Sequence, residues 1–326
     1  MAETTPMMAQ YRRAKERFPD AVLFFRLGDF YEMFDKDARE VSSLLDLTLT
    51  QRNGVPMCGV PYHAASGYVA RLLAAGKKVA ICEQSAQGGQ ARGLMAREVL
   101  EVITPGTALD ESYLPRNSNN YILALGRAGE RLSLAYADIS TAEFSGTSFE
   151  LAEREEKLKK ELYRLDPKEI IIEESLFAED ETVRRLVSER EGCLVSRFPD
   201  WSFDQSACRS RLQKQFNVAN LKGFGLGEDS PEISAAGVLL EYLGDSSKKT
   251  LAHISSLSIY ADSSFVGLDE ATQKSLELLQ NLQDGSRRYT LLEVLDETKT
   301  SLGSRSLKKR LLTPLTDRAE IERRLS

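Results

Sequence analysis

The stretch from Phe24 to Leu45 constrains this chain more than any other. Ala21 to Leu27 is a short apolar run that reads as a buried strand. Gly28 interrupts it. Asp29, with Glu32 three residues on, forms a capping-box variant and predicts a helix from Phe30 onward. Tyr31, Phe34, Ala38, Val41 and Leu45 recur at spacings of three and four, which makes one apolar stripe. The expected unit is strand, tight turn, helix. Phe30 then sits on the first helical turn, where a side chain leaning toward the N-terminus can overhang the helix end. Glu32 points away from the stripe near the same end. An aromatic and a carboxylate beside helix-terminal N–H groups suit a flat polar ligand such as a base. The alternative from spacing alone is a core Phe and a capping Glu.

A chain of 326 residues suggests two or three domains. Its mixed charges and apolar fraction are those of a soluble globular protein. No apolar run is long enough to span a membrane, and the N-terminus lacks the regions of a signal peptide, so the expected location is cytoplasmic. Cys58, Cys82, Cys193 and Cys208 form no Cys-x-x-Cys pair, and only His63 and His253 accompany them, so no zinc spacing exists and the thiols are expected to be reduced and structural. The net charge of −6 is unevenly placed. Residues 1–115 hold 13 basic and 14 acidic side chains, residues 116–245 hold 17 and 24, and residues 246–326 hold 13 and 11. The acidic middle segment is a poor surface for nucleic acid and a better one for protein.

Asp46 to Gly54 alternates and ends in Asn-Gly, which reads as a strand entering a turn, with Arg52 at its end either solvated or on a phosphate. Ala65–Ala75 reads as a helix closed by Gly76, followed by a strand. Ser85–Leu94 reads as a mobile loop, and Arg97 as a surface strand charge. Asp110–Asn120 is a polar linker. A strand meander from Tyr121 to Ser145, a charged helix over Glu150–Leu165 and the buried strand Lys168–Ile172 suggest an α/β layer. Trp201, the one tryptophan, is expected to be a packing residue. The apolar run Leu276, Leu278, Leu279 and Leu282 is read as helical, as are Tyr289–Leu295 and Ser301–Leu312. Arg305, Lys308, Lys309 and Arg310 form a basic run, read as a solvated face or a DNA brace.

Gly28-Asp29-Phe30-Tyr31-Glu32 resembles the Phe-x-Glu mismatch-reading motif of the MutS family of bacterial mismatch-recognition proteins. Thr5-Pro6-Met7-Met8, Pro56 to Ala64, Ala80 to Gln84 and Val102 to Thr107 resemble further family blocks in family order, as do Phe216-Asn217-Val218, Gly223-Phe224-Gly225 and Gly303-Ser304-Arg305-x-Leu307-Lys308-x-x-Leu311. Ser85–Leu94 departs from the family pattern in lacking an Asp-Pro pair. The resemblance implies an α/β multidomain chain: a mixed α/β mismatch-binding domain over 1–115, an RNase H-like α/β connector domain over 116–245, and the incomplete start of an all-α core domain over 246–326. It implies mismatched-DNA binding in DNA repair, with Phe30 stacking on the mispaired base and Glu32 bonding to it, and Arg52 and Arg97 near the DNA backbone. It implies mismatched double-stranded DNA and the repair protein MutL as partners, MutL through the connector domain, and a homodimer in full-length form. Nothing matches Gly-x-x-x-x-Gly-Lys-Ser/Thr, so no cofactor and no enzyme activity are expected in this chain; the family's use of ATP and Mg is expected farther downstream.

Two rivals stand beside this reading. One is a protein-interaction adapter working through the acidic connector. The other is an RNase H-like nuclease, with Asp138 and Glu173 or Glu174 as metal ligands, although fold alone does not carry that function.

Overall fold

Gly28 does not introduce a helix; it turns a hairpin. The computed structural model describes residues 5–84, 96–108, 113, 118–246, 251–261 and 265–325. Strands β1 (Ala21–Leu27) and β2 (Phe30–Phe34) pair antiparallel, with Leu27 opposite Phe30 and only Gly28 and Asp29 between them. Gly28 has φ +59° and Asp29 is not left-handed. This is the pattern of a type II′ turn, which follows the right-handed twist of the strands and takes glycine at its first central position. Over Phe30–Phe34 the chain alternates instead of spiralling. Tyr31 and Met33 enter one core cluster, while Phe34 enters another on the opposite face. An aromatic-rich segment suits that half-buried pleat. The helix begins only at α2 (Asp35–Leu45), where Ala38, Val41 and Leu45 keep the expected buried stripe. Its N-cap is Phe34, with no side-chain cap, so Asp29 and Glu32 form no capping box.

The chain divides into two compact units, the first built on residues up to Leu114 and the second on residues from Pro115. The first unit also contains α1 (Pro6–Arg17), β3 (Thr50–Arg52), β4 (Val55–Pro61), α3 (Ala65–Ala74), β5 (Lys78–Gln84) and β6 (Arg97–Ile103). Its sheet runs β3-β4-β2-β1-β5-β6, antiparallel except where β1 and β5 lie parallel. Helix α1, capped by Thr5 with Pro6 at its first position, packs Met8 and Tyr11 against Leu23, Phe25 and Phe34. Helices α2 and α3 cover the other face through Ala38, Val41, Val69 and Leu72. A buried carboxylate joins these layers. Asp37 accepts bonds from Lys15 Nζ at 2.8 Å, Tyr11 Oη at 3.2 Å and the Leu23 N–H at 3.1 Å, and Lys15 Nζ also donates to the Ala21 carbonyl at 2.7 Å.

The second unit starts from the meander β7 (Ile122–Ala128), β8 (Arg131–Asp138) and β9 (Glu143–Glu150), followed by α4 (Arg154–Leu165) and β10 (Glu169–Glu173). Strand β10 is wholly buried and pairs parallel with β7, as a strand returning from a crossover helix must. Then come α5 (Glu174–Glu179), α6 (Glu181–Ser188), β11 (Leu194–Phe198), α7 (Gln205–Phe216), α8 (Glu232–Ser246) and β12 (Ser258–Ile259), closing the order β11-β10-β7-β8-β9-β12. Helix α8 lies on one face, where Ser133 Oγ accepts from the Ala235 N–H and Tyr242 bonds Glu169. Helix α4 lies on the other, with Arg164 over the Tyr136 ring. The chain ends with α9 (Glu270–Ser275), α10 (Leu291–Leu295), α11 (Ser301–Leu312) and α12 (Arg318–Leu325). No helix among the described residues is long and apolar enough to cross a membrane.

Three expectations in this unit are corrected. Trp201 is 72% exposed, and it is Phe203, two residues on, whose ring fills the space over Gly126. Leu276 to Leu282 is not helical, although its leucines recur at spacings of three and four: α9 stops at Ser275, Glu277 takes φ +47°, and Leu276 and Leu282 are exposed. The basic run of α11 is not a free face, since Arg305 donates to Ser140 Oγ at 2.8 Å and Lys309 pairs with Glu143 at 2.6 Å. The loop over Ser85–Leu94 lies outside the described residues, as does most of the linker over Asp110–Asn120, of which 113 and 118–120 are described.

Removing the Asp37 carboxylate leaves an ammonium and a buried N–H without their acceptor. Asp37→Ala is expected to destabilise the first unit by ~2–4 kcal/mol, read as a lowered urea midpoint at unchanged slope.

Candidate nucleic-acid interface

The tip of the β1–β2 hairpin presents an aromatic ring to solvent. Phe30 is 48% exposed, although its neighbours Tyr31, Met33 and Phe34 are buried. Its cross-strand partners are Leu27 on β1 and Pro61 on β4. The ring therefore stands at the end of a three-stranded patch with little side chain above it. The strand pleat, and not an overhanging helix turn, puts it there.

The back of the hairpin is braced. Arg26 lies over the Tyr62 ring at 3.9 Å from its centroid and over Tyr31 at 5.5 Å, and its Nη1 is 3.6 Å from Glu83. Tyr31 Oη donates to the same Glu83 carboxylate. Burial first, then Glu83, pushes the Tyr31 phenol up to about 12. The Tyr62 N–H donates to the Asp29 carbonyl at 2.9 Å, tying the turn to the end of β4. Sequence reasoning missed Arg26 and Tyr62. Their only signal was position, two residues before the turn and one after Pro61.

Glu32 shares its face of β2 with Phe30. Its partner across the strands is Gly59, which has no side chain to fill that space. Arg52, at the end of β3, reaches in and sets Nη1 2.7 Å from Glu32 Oε2. Glu32 is thus an ion-pair partner and not a capping residue, and Arg52 is not simply solvated. The Arg52 side chain is 44% exposed and that of Glu32 14%. A pair this open to water contributes at most ~1 kcal/mol. Arg97, at the start of β6, lies three strands from β2, roughly 14 Å away at ~4.8 Å per strand. Its Nε donates to the Arg26 carbonyl at 2.8 Å and Nη1 to Gln10 Oε1 at 3.3 Å. The structure brings Phe30, Glu32 and Arg52 together and sets Arg97 apart.

Comparison with known proteins gives three successive matches along the chain. Profiles for MutS domain I, MutS domain II and MutS domain III match residues 5–112, 120–255 and 271–326. The chain belongs to the MutS family. The DNA mismatch repair protein MutS of Treponema denticola is 47% identical over 98% of this chain and 37% of its own length. That of Symbiobacterium thermophilum is 42% identical over 99% of the chain and 37% of its own length, and that of Borreliella burgdorferi 41% over 98% and 36%. The chain spans a little over a third of the length of the MutS relatives it matches. The hairpin that carries Phe30 and Glu32 lies within the MutS domain I match, and strands β7 to β11 within the domain II match.

In that domain II sheet the carboxylates weighed as metal ligands stand apart. Asp138 is fully buried and accepts from Asn119 Nδ2 at 3.0 Å, the Asn120 N–H at 3.2 Å, the Ser140 N–H at 2.9 Å and Ser140 Oγ at 2.6 Å. It is a loop-holding acceptor. Ala137, beside it, aligns through Ile122 with Glu169, four residues before Glu173. Asp138 and Glu173 therefore lie at opposite ends of the sheet, roughly 15 Å apart, too far for ions ~4 Å apart. Glu173 accepts from the Arg127 N–H, and Glu174 pairs with Arg197.

The brace behind Phe30 has a pH signature. The Tyr31 phenol has a folded pKa above its ordinary 10.0. Its contribution is therefore complete below pH 10 and is lost as pH rises from about 10 to about 12. The stability advantage of the parent chain over Tyr31→Phe, from urea melts at about pH 9 and about pH 11, is expected to shrink with rising pH.

Proposed function

We propose that the first unit recognises mispaired and looped DNA, in the manner the family resemblance implies, with Phe30 as wedge and Glu32 as reader. The observation that carries this is the exposed ring of Phe30, on a two-residue turn, at the end of a braced sheet. An aromatic inserted from the minor groove unstacks a base step and kinks the duplex. Smooth bending of a matched site costs on the order of 1–6 kcal/mol. A mispair is already weakly stacked, so the same bend costs less there, and selectivity is mostly that difference.

Glu32 adds a check on the exposed base edge. Purine N7 is an acceptor, so a bond to it uses the protonated acid, which nearby phosphates favour. Arg52 gives this step a starting state: with its partner at 2.7 Å, the carboxylate approaches DNA largely neutralised. When Glu32 turns to a base, Arg52 is released toward a backbone phosphate. Arg97 is assigned to the backbone as well, its guanidinium already anchored on Arg26 and Gln10 and so presented with little ordering cost.

The division into mismatch-binding, connector and core segments is carried forward as part of this proposal. MutL contact, through the part that matches the second unit, the homodimer, cytoplasmic location and the use of ATP and Mg are assigned to full-length members of the family. The adapter reading keeps one specific support, the exposed Trp201 on the acidic second unit. Titrating a labelled mismatched duplex and its matched counterpart at one salt concentration separates the two readings, since an adapter shows no difference.

Phe30→Ala is expected to weaken mismatch binding by ~1–3 kcal/mol, the scale of base–aromatic stacking, while urea stability stays within ~0.5 kcal/mol of the parent. Lost folding with retained preference would return Phe30 to the core. Glu32→Gln removes the carboxylate charge and frees Arg52 for a phosphate. Matched duplex is expected to bind more tightly and mismatched duplex about as well, so that discrimination falls. An unchanged matched-to-mismatched ratio would leave Glu32 as a strand residue paired with Arg52 and nothing more.

A further inference from the structure

A two-residue turn leaves the carbonyls of both its residues outside the strand ladder. In the β1–β2 hairpin both are held, and the two holds touch each other. Arg26 Nε donates to the Gly28 carbonyl at 2.5 Å. The Tyr62 N–H donates to the Asp29 carbonyl at 2.9 Å. The Arg26 guanidinium lies over the Tyr62 ring, 3.9 Å from its centroid, and so joins them. We infer that Arg26 is a positioning residue for mismatch discrimination: it fixes the turn against the end of β4 and thereby sets where the Phe30 ring stands. The inference rests on the wedge reading of Phe30 and adds to it the residue that makes the wedge stiff.

Arg26 acts through the backbone and not from the DNA side of the hairpin. Successive strand residues point to opposite faces. Leu27 lies opposite Phe30 and Arg26 opposite Tyr31, so Arg26 and Phe30 project from opposite faces. The Arg26 side chain is 18% exposed, and its contacts are with protein: the Gly28 carbonyl, the Tyr62 and Tyr31 rings, and Glu83 at 3.6 Å. The path to Phe30 is short. Gly28 and Asp29 alone separate β1 from Phe30, and Phe30 lies opposite Pro61, the residue before Tyr62.

The chemistry selects arginine. A guanidinium is planar and carries its donors around the edge, so it can lie on a ring while donating in its own plane. A lysine ammonium brings the same charge at one point and cannot do both. Selectivity follows because only an inserted ring puts load on the turn. At a mispair the ring must keep its place within the stack. On matched duplex the stack stays closed and the ring bears on nothing. A loosened turn has to be ordered on binding, and that cost falls on the mismatched complex alone.

The test is a double-mutant cycle on the whole chain, with a labelled mismatched duplex and its matched counterpart at one salt concentration. Arg26→Lys keeps the charge. It is expected to weaken mismatched binding about tenfold, the scale of one cation–π contact with one charge-assisted hydrogen bond, and to leave matched binding at the parent's value. In the Phe30→Ala background the same change is expected to have no effect, since there is no ring to place. Without DNA, hydrogen exchange at the residue 62 amide should quicken in Arg26→Lys while the amides of β1 keep their protection. Tyr62→Leu removes the ring and leaves Arg26, and it should reproduce all of these results even if Arg26→Lys fails to fold. Parent-like mismatch binding by both variants, equal losses on the two duplexes, an undiminished loss in the Phe30→Ala background, or unchanged exchange at residue 62 would each overturn the positioning role. Phe30→Ala binding mismatched duplex as tightly as the parent would overturn the wedge reading instead, and the exchange measurement, which uses no DNA, still decides whether Arg26 holds the turn.

Discussion

One buried carboxylate holds the first unit together. Asp37 stands at the start of α2 yet serves the other elements, receiving Lys15 and Tyr11 from α1 and a backbone N–H from β1. Tyr11 Oη in turn donates to the Phe34 carbonyl and accepts from the Phe34 N–H, so the last residue of β2 is fixed from the same point. The sheet has helices on both faces, and this polar node passes between them at the β2 to α2 joint. With Phe34 pinned, the alternation along β2 decides where every earlier side chain points, and Phe30 is the residue left at the open end.

The same economy recurs in the second unit, where acidity is spent inside. Glu143 accepts from Tyr121, Tyr136 and Lys309, Asp138 from four donors, and Glu161 from Arg164 and Tyr260. Part of the negative charge that argued against a nucleic-acid surface there is therefore structural: Glu161 is paired with Arg164 of α4 and Glu143 with Lys309 of α11.

The order of strands and helices was largely legible, because period-two and period-3.6 patterns are local. Helix α11 keeps its expected bounds of Ser301–Leu312, and the meander and buried strand β10 fall where apolar alternation placed them. The Gly28-Asp29 turn was misread because Asp-x-x-Glu and a two-residue hairpin use the same residue types; only pairing with β4, nearly thirty residues on, decides between them. Phe30 and Glu32 were thus identified as site candidates for one geometric reason and are exposed for another. Glu32–Arg52 and Arg26–Tyr62 were illegible in principle, since each depends on which strands become neighbours. Trp201 failed as a packing residue because burial near a Pro-Asp turn fell to Phe203 instead.

The two-residue turn has a further consequence, for search kinetics. A probe on a flexible loop must be ordered at every attempt, and that entropy is lost on each failed trial as well as on the successful one. Phe30 stands on paired strand backbone, one residue past a turn fixed by Gly28 and next to Tyr31, whose ring Arg26 covers. In the role proposed here, each base step is sampled at the cost of DNA deformation alone. The dwell time on correctly paired DNA is then set by the duplex, step by step, and the protein adds no slow folding event of its own to the scan.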